Sequence, residues 1–85
     1  MSGIKYKVIH LHGQNIEGNA TKIVVKDNLA PMTLFKDHGP TLAVLKTGKI
    51  TFLDNQDHVQ NEVSYEQGTL SISDNLCTIT IIRTE

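Results

Sequence analysis

His10 and His12 are the first residues along the chain whose types and spacing could do chemistry. Two positions apart on an extended strand, their rings would share one face about 6 to 7 Å apart, which suits a shared metal ion. A site would need one or two further ligands. His38, His58 and the carboxylates are scattered over turns with no ligand spacing, so partly exposed strand histidines are the simpler account. Asp54 and Asp57 make a second pair that could in principle divide acid and base work. Their turn-rich setting explains them more simply, because Asp and Asn side chains cap turns by bonding nearby backbone amides. Cys77 falls on the inward side of an alternating segment, where a thiol is inert. There is no G-x-S-x-G elbow, no G-x-x-x-x-G-K-S/T phosphate loop and no G-x-G-x-x-G. The residues predict no catalytic centre, no cofactor and no metal.

The elements that must position these residues are strands. Short runs of alternating apolar and polar residues are separated by Gly, Pro, Asn and Asp clusters, the pattern of β-strands joined by tight turns. Residues 58–65 alternate, with Val59, Val63 and Tyr65 against His58, Gln60, Glu62 and Ser64, and residues 69–73 repeat the pattern with Leu70 and Ile72. Cys77, Ile79 and Ile81 form the inward row of the last strand, opposite Thr78 and Thr80. In residues 20–26 the run Ile23-Val24-Val25 is apolar on both faces, which predicts an internal strand. Residues 32–35, 41–45 and 49–53 read as further short strands, punctuated by Lys36-Asp37-His38-Gly39-Pro40 and by Lys46-Thr47-Gly48. In residues 4–11 the apolar positions change phase, from Ile4, Tyr6 and Val8 to Ile9 and Leu11. That predicts a bulge, or a strand passing between sheets. No sustained helical stripe is present. The expectation is one all-β domain over residues 1–85, a two-sheet β-sandwich of about eight to ten short strands.

Composition narrows the function. Eighty-five residues allow one core and little surface for a deep cleft. Eight Lys and Arg against nine Asp and Glu give a net charge of −1, without a basic run, so nucleic acid is a poor partner. The four aromatics, Tyr6, Phe35, Phe52 and Tyr65, are not interleaved with Arg as a base-stacking platform would require. One cysteine excludes an internal disulfide framework and favours a reducing compartment. No apolar run approaches the roughly 20 residues of a bilayer span, and the first residues have neither a signal-peptide nor a transit-peptide pattern. What remains is a small protein that works by docking onto other proteins.

A collinear set of segments points to which proteins. His38-Gly39-Pro40-Thr41-Leu42, then Leu45-Lys46-Thr47-Gly48-Lys49-Ile50, resembles the G-H-A-P-L-L-x-x-L-K-P-G-x-I block of the N-terminal β-sandwich of the F-type ATP synthase epsilon subunit. Ile16-Glu17-Gly18 with residues 20–25 is similar to that family's F-x-G-x-V-x-x-I-x-V segment. Residues 63–72 with 76–81 resemble its closing V-S-G-G-x-L-E-V-x-x-x-x-V-T-V-L. The chain departs from the pattern at Ala30-Pro31-Met32-Thr33, where the family has G-E-x-G, and at Lys36-Asp37, where it has P-G.

The resemblance implies a non-catalytic rotor subunit of the central stalk, docking the gamma subunit to the membrane c-ring and coupling ion flow to ATP synthesis. By position, His38, Thr41 and Leu42 would lie toward gamma, and Asn28, Leu29, Ala30, Pro31 and Met32 toward the c-ring. With Pro31 where the family commonly has an acidic residue, that second contact would be steric and apolar. The implied location is peripheral, on the cytoplasmic face of a bacterial inner (plasma) membrane or its organelle-encoded equivalent. The alternative is a free-standing β-sandwich adaptor outside the synthase. Family members commonly carry a helical pair after the sandwich that restrains ATP hydrolysis and in some members binds ATP. With Arg83-Thr84-Glu85 directly behind the last strand, neither property is expected of these residues.

Overall fold

The computed structural model describes residues 3–84, so residues 1, 2 and 85 of the expected domain lie outside the described residues. Among the described residues there are seven strands: β1 (Ile4–His10), β2 (Ile16–Ala20), β3 (Lys22–Asp27), β4 (Met32–Phe35), β5 (Thr41–Leu53), β6 (Val59–Ser73) and β7 (Leu76–Arg83). They form one continuous sheet in the order β2-β1-β7-β6-β5-β3-β4. All pairings are antiparallel except that of β1 with β7, which brings the first and last strands side by side in parallel. Among the described residues there is no helix, as the missing helical stripe predicts.

The sheet curls onto itself to make two layers. Tyr6 of β1 stacks on Phe52 of β5, with ring centroids 3.9 Å apart, although β7 and β6 stand between those strands in the sheet. Only a folded-over sheet brings the two rings together. The fold-over is carried by β5 and β6, of 13 and 15 residues, which belong to both layers. Their second and first halves respectively pair with each other beside β3 and β4, while their opposite halves pair beside β7 and β1.

A strand that changes layers must also change which face points inward. Along β5 the inward residues are Ala43 and Leu45, then Ile50 and Phe52; along β6 they are Val63 and Tyr65, then Leu70 and Ile72. The phase flips occur opposite one another, at Thr47 (φ 51°) on β5 and between Tyr65 and Gly68 on β6, where the register to β7 also shifts. This is why seven strands build a sandwich expected to contain eight to ten. Lys46-Thr47-Gly48 reads as a break in the sequence, but it and the facing Glu66-Gln67-Gly68 are in-strand kinks that keep their ladder. The phase change in residues 4–11 has a different origin. The pairings of β1 run unshifted from Ile4 to His10, so no bulge forms there, and Leu11 already lies in the following turn. The expected run 20–26 is broken at Thr21, because Ala20 closes β2 and β3 begins at Lys22, and Val59, expected to face inward, is 58% exposed; Ile23 and Val25 do lie on a strand paired on both sides, and Cys77, Ile79 and Ile81 are buried in one row.

Candidate functional site

Two clusters of expected docking residues lie at the two ends of the short strand β4. At one end the β4–β5 connection carries His38, and β5 then begins with Thr41 and Leu42. His38 Nδ1 is 2.9 Å from the Gly39 carbonyl oxygen and 3.3 Å from Thr41 Oγ1, and the Thr41 hydroxyl donates to the Gly39 carbonyl at 3.1 Å. A reciprocal bond across 38 residues pins this turn. The Asp37 amide donates to Asn75 Oδ1 at 2.6 Å, and Asn75 Nδ2 donates to Asp37 Oδ1 at 3.1 Å. Both residues have left-handed backbones, φ 65° and 61°, which Asp and Asn tolerate better than most side chains. Beyond the turn, Leu42 is 82% exposed and Val44, two residues on along the same face, is 66% exposed. This end therefore offers polar turn groups next to a bare apolar step.

At the other end, the β3–β4 connection carries Asn28, Leu29, Ala30 and Pro31, and Met32 opens β4. Leu29 is 63% exposed. The loop is organised from beneath by Asp27, the one buried charged residue among those described. Asp27 Oδ2 accepts from the amides of Leu29 and Ala30 at 2.8 and 2.9 Å. Its Oδ1 accepts from the Lys46 amide at 2.7 Å and from the Tyr65 hydroxyl at 2.8 Å. The Asn28 amide also reaches the Thr47 carbonyl, at 3.3 Å. One carboxylate thus joins the loop, the kink of β5 and the kink of β6. Between Leu29, Val44, Lys46, Thr47, Glu66 and Arg83 the surface forms a shallow groove of about 490 Å³.

Burial by itself would raise the Asp27 pKa, but the Ala30 amide, the Tyr65 hydroxyl and the amides of Leu29 and Lys46 outweigh it and hold the carboxyl below the usual carboxylate range. The same arrangement pushes the Tyr65 hydroxyl well above its ordinary value, through burial first and the adjacent carboxylate second. A lowered folded-state pKa gives stability that is present above the unfolded value of about 3.9 and is lost as pH falls through the folded one. Thermal melts of wild type and Asp27→Asn between pH 6 and pH 2.5 should show a gap that is constant above about pH 4.5 and narrows below it. A gap independent of pH would mean that the charge of Asp27 contributes nothing.

The residues with chemical potential serve the fold. His10 closes β1, with Nδ1 2.9 Å from the Gln14 carbonyl oxygen, and His12 lies in the turn beyond it, so the two do not share a strand face as their spacing suggests. No group of three or more His, Cys, Asp or Glu side chains that could hold a metal occurs among the described residues. Asp54 Oδ1 accepts from the amides of Gln56 and His58, which is the turn-capping arrangement read from the sequence. Those bonds, the His58 amide first, hold its carboxyl below the usual range. Asp57 has φ 60° and meets Lys22 at 3.1 Å. Cys77 is buried, and burial pushes its thiol up to about 12, far from the thiolate form that reacts.

Comparison with known proteins agrees with this architecture. Residues 3–85 match the family described as the ATP synthase delta/epsilon chain β-sandwich domain. No curated protein matches the chain. Among solved structures, a chain in the central stalk and c-ring of the Tetrahymena thermophila mitochondrial ATP synthase superposes with a TM-score of 0.70 at 19% identity. The match covers 93% of this chain and 63% of that one, so the sequence spans a little under two thirds of the length of that relative. With the family matched over nearly every residue and its sandwich present, the chain belongs to the ATP synthase delta/epsilon chain family, whose members are subunits of a membrane-associated complex.

Proposed function

We propose that this chain is a non-catalytic component of the central stalk of an F-type ATP synthase, joining the gamma subunit to the c-ring and passing torque between them during ATP synthesis. Gamma docks at the end carrying His38, Thr41 and Leu42. The c-ring meets Asn28, Leu29, Ala30, Pro31 and Met32. The protein is peripheral, held at the cytoplasmic face of a bacterial inner membrane, or at the equivalent organellar face, through its partners.

The observation that carries this reading is the separation of the two clusters. Along the chain they flank a four-residue strand, roughly 13 Å at the usual strand rise, and across the surface Val44, beside Leu42, shares a groove with Leu29. Each presents an exposed leucine beside backbone held by a specific side chain, Asn75 at one end and Asp27 at the other. Apolar anchors on preformed turns suit docking, because little ordering cost is left for the complex. The family membership points the same way.

Leu42→Asp tests the gamma contact. Leu42 touches solvent over most of its surface, so the substitution should move the melting temperature very little. Placing a carboxylate in an apolar contact should weaken binding to purified gamma subunit by about tenfold or more, read by isothermal titration calorimetry. Unchanged affinity would remove Leu42 from the interface.

A further inference from the structure

Beneath the loop at 28–32 lies a carboxylate that organises it. Asp27 closes β3 and is 6% exposed, and its carboxylate accepts four hydrogen bonds. Two go to the consecutive loop amides of Leu29 and Ala30, and two reach strands β5 and β6, 19 and 38 residues away. A loop this short could close in several ways, since Asn28, Leu29 and Pro31 are exposed and have no packing of their own to fix them. The carboxylate selects one. It also sets the loop against the kink of β5, where the Asn28 amide bonds the Thr47 carbonyl.

We propose that Asp27 is the positioning residue of the c-ring-facing loop, fixing the exposed Leu29 in advance in the orientation it has when docked. The inference rests on the reading that this loop faces the c-ring. It adds that the loop carries no charged side chain to the partner, since residues 28–32 are Asn, Leu, Ala, Pro and Met, and that its single charge acts inward as a scaffold. Without Asp27 the exposed groups are unchanged, but their order must be imposed by the partner at the moment of binding.

The test compares four purified chains for capture by a detergent-solubilised rotor of gamma and c-ring, and separately by gamma alone, well below every melting temperature. Leu29→Asp asks whether the loop faces the ring. Asp27→Ala removes the scaffold, and Asp27→Asn keeps its volume while leaving one acceptor oxygen to face four donors. Tyr6→Phe, which loses bonds to Gln60 and Asn61 remote from the loop, controls for lowered stability.

The expected result is that Leu29→Asp abolishes the affinity gained from the ring. Asp27→Ala should weaken that gain by about tenfold, consistent with the ordering costs of a few interface residues, and Asp27→Asn by less. Neither Asp27 variant should alter binding to gamma alone, and Tyr6→Phe should alter nothing. Amide exchange at Leu29 and Ala30 should accelerate in both Asp27 variants while the exchange of β7 stays slow. If Leu29→Asp is lethal to ring capture but both Asp27 variants bind as wild type, the positioning role is overturned and the loop's orientation stands. If Leu29→Asp also binds as wild type, both fall.

Discussion

Gly48→Ala is expected to cost about 3 kcal/mol, the upper end for an inserted methyl group, out of the roughly 4 to 13 kcal/mol that a domain this size has. A β-carbon at Gly48 would stand 2.2 Å from the Lys26 carbonyl oxygen, 2.9 Å from the Asp27 Cα and 2.9 Å from the Tyr65 hydroxyl. Two of these are backbone atoms of a paired strand, which cannot rotate aside as a side chain could. Gly48 follows the kink residue Thr47 and faces Asp27 in the ladder, so the space it leaves is what lets β5 change layers against the loop anchor. Gly39→Ala is the matched control, because nothing lies within 4 Å of its β-carbon position. Urea unfolding should show a large fall in midpoint for the first variant and almost none for the second. Equal midpoints would show that the close approach at Gly48 is not required.

A second large effect is expected at Tyr6, the ring that joins the two layers. Its face stacks on Phe52, and its hydroxyl accepts from Asn61 Nδ2 at 2.7 Å and donates to Gln60 Oε1 at 3.3 Å. Tyr6→Ala empties the space between layers and should cost about 3 to 5 kcal/mol, as for other buried aromatic truncations. Tyr6→Phe keeps the stack and loses the hydroxyl bonds, which should cost about 1 kcal/mol. The difference between the two variants separates packing from hydrogen bonding. If Tyr6→Phe proved as damaging as Tyr6→Ala, the polar end of the ring, and not its stacking, would hold the layers together.

The local alternation in residues 69–73 and 76–82 was enough to read the buried rows, because strand faces repeat every two residues whatever the partner strand, whereas Val59, read as inward, is 58% exposed. Turn chemistry was likewise readable at Asp54, where the bonds are to residues two and four positions away. What escaped the sequence depends on long-range closure. Thr47 and Gly48 look like a turn until β6 is seen to kink opposite them, and only then do four short segments become two long strands. Asp27 carries no local signal, because the hydroxyl that completes its shell, Tyr65, is 38 residues away. His10 and His12 failed in the opposite sense. Their spacing assumed that the strand continued, whereas β1 ends at His10 and the chain turns through Leu11 to Gly13. His38 was singled out by family resemblance alone, and no local pattern would have revealed that Asn75 holds its turn.

The most direct test of the account is to mix the purified chain with a gamma-containing catalytic head that lacks this subunit, and to follow the complex by size-exclusion chromatography and its ATPase rate. A docking component with no chemistry of its own should co-elute in a one-to-one ratio with gamma, leave hydrolysis nearly unchanged, and lose co-elution with Leu42→Asp. Elution of the wild-type chain alone, or strong and saturable inhibition of hydrolysis by it, would contradict the stalk-docking account.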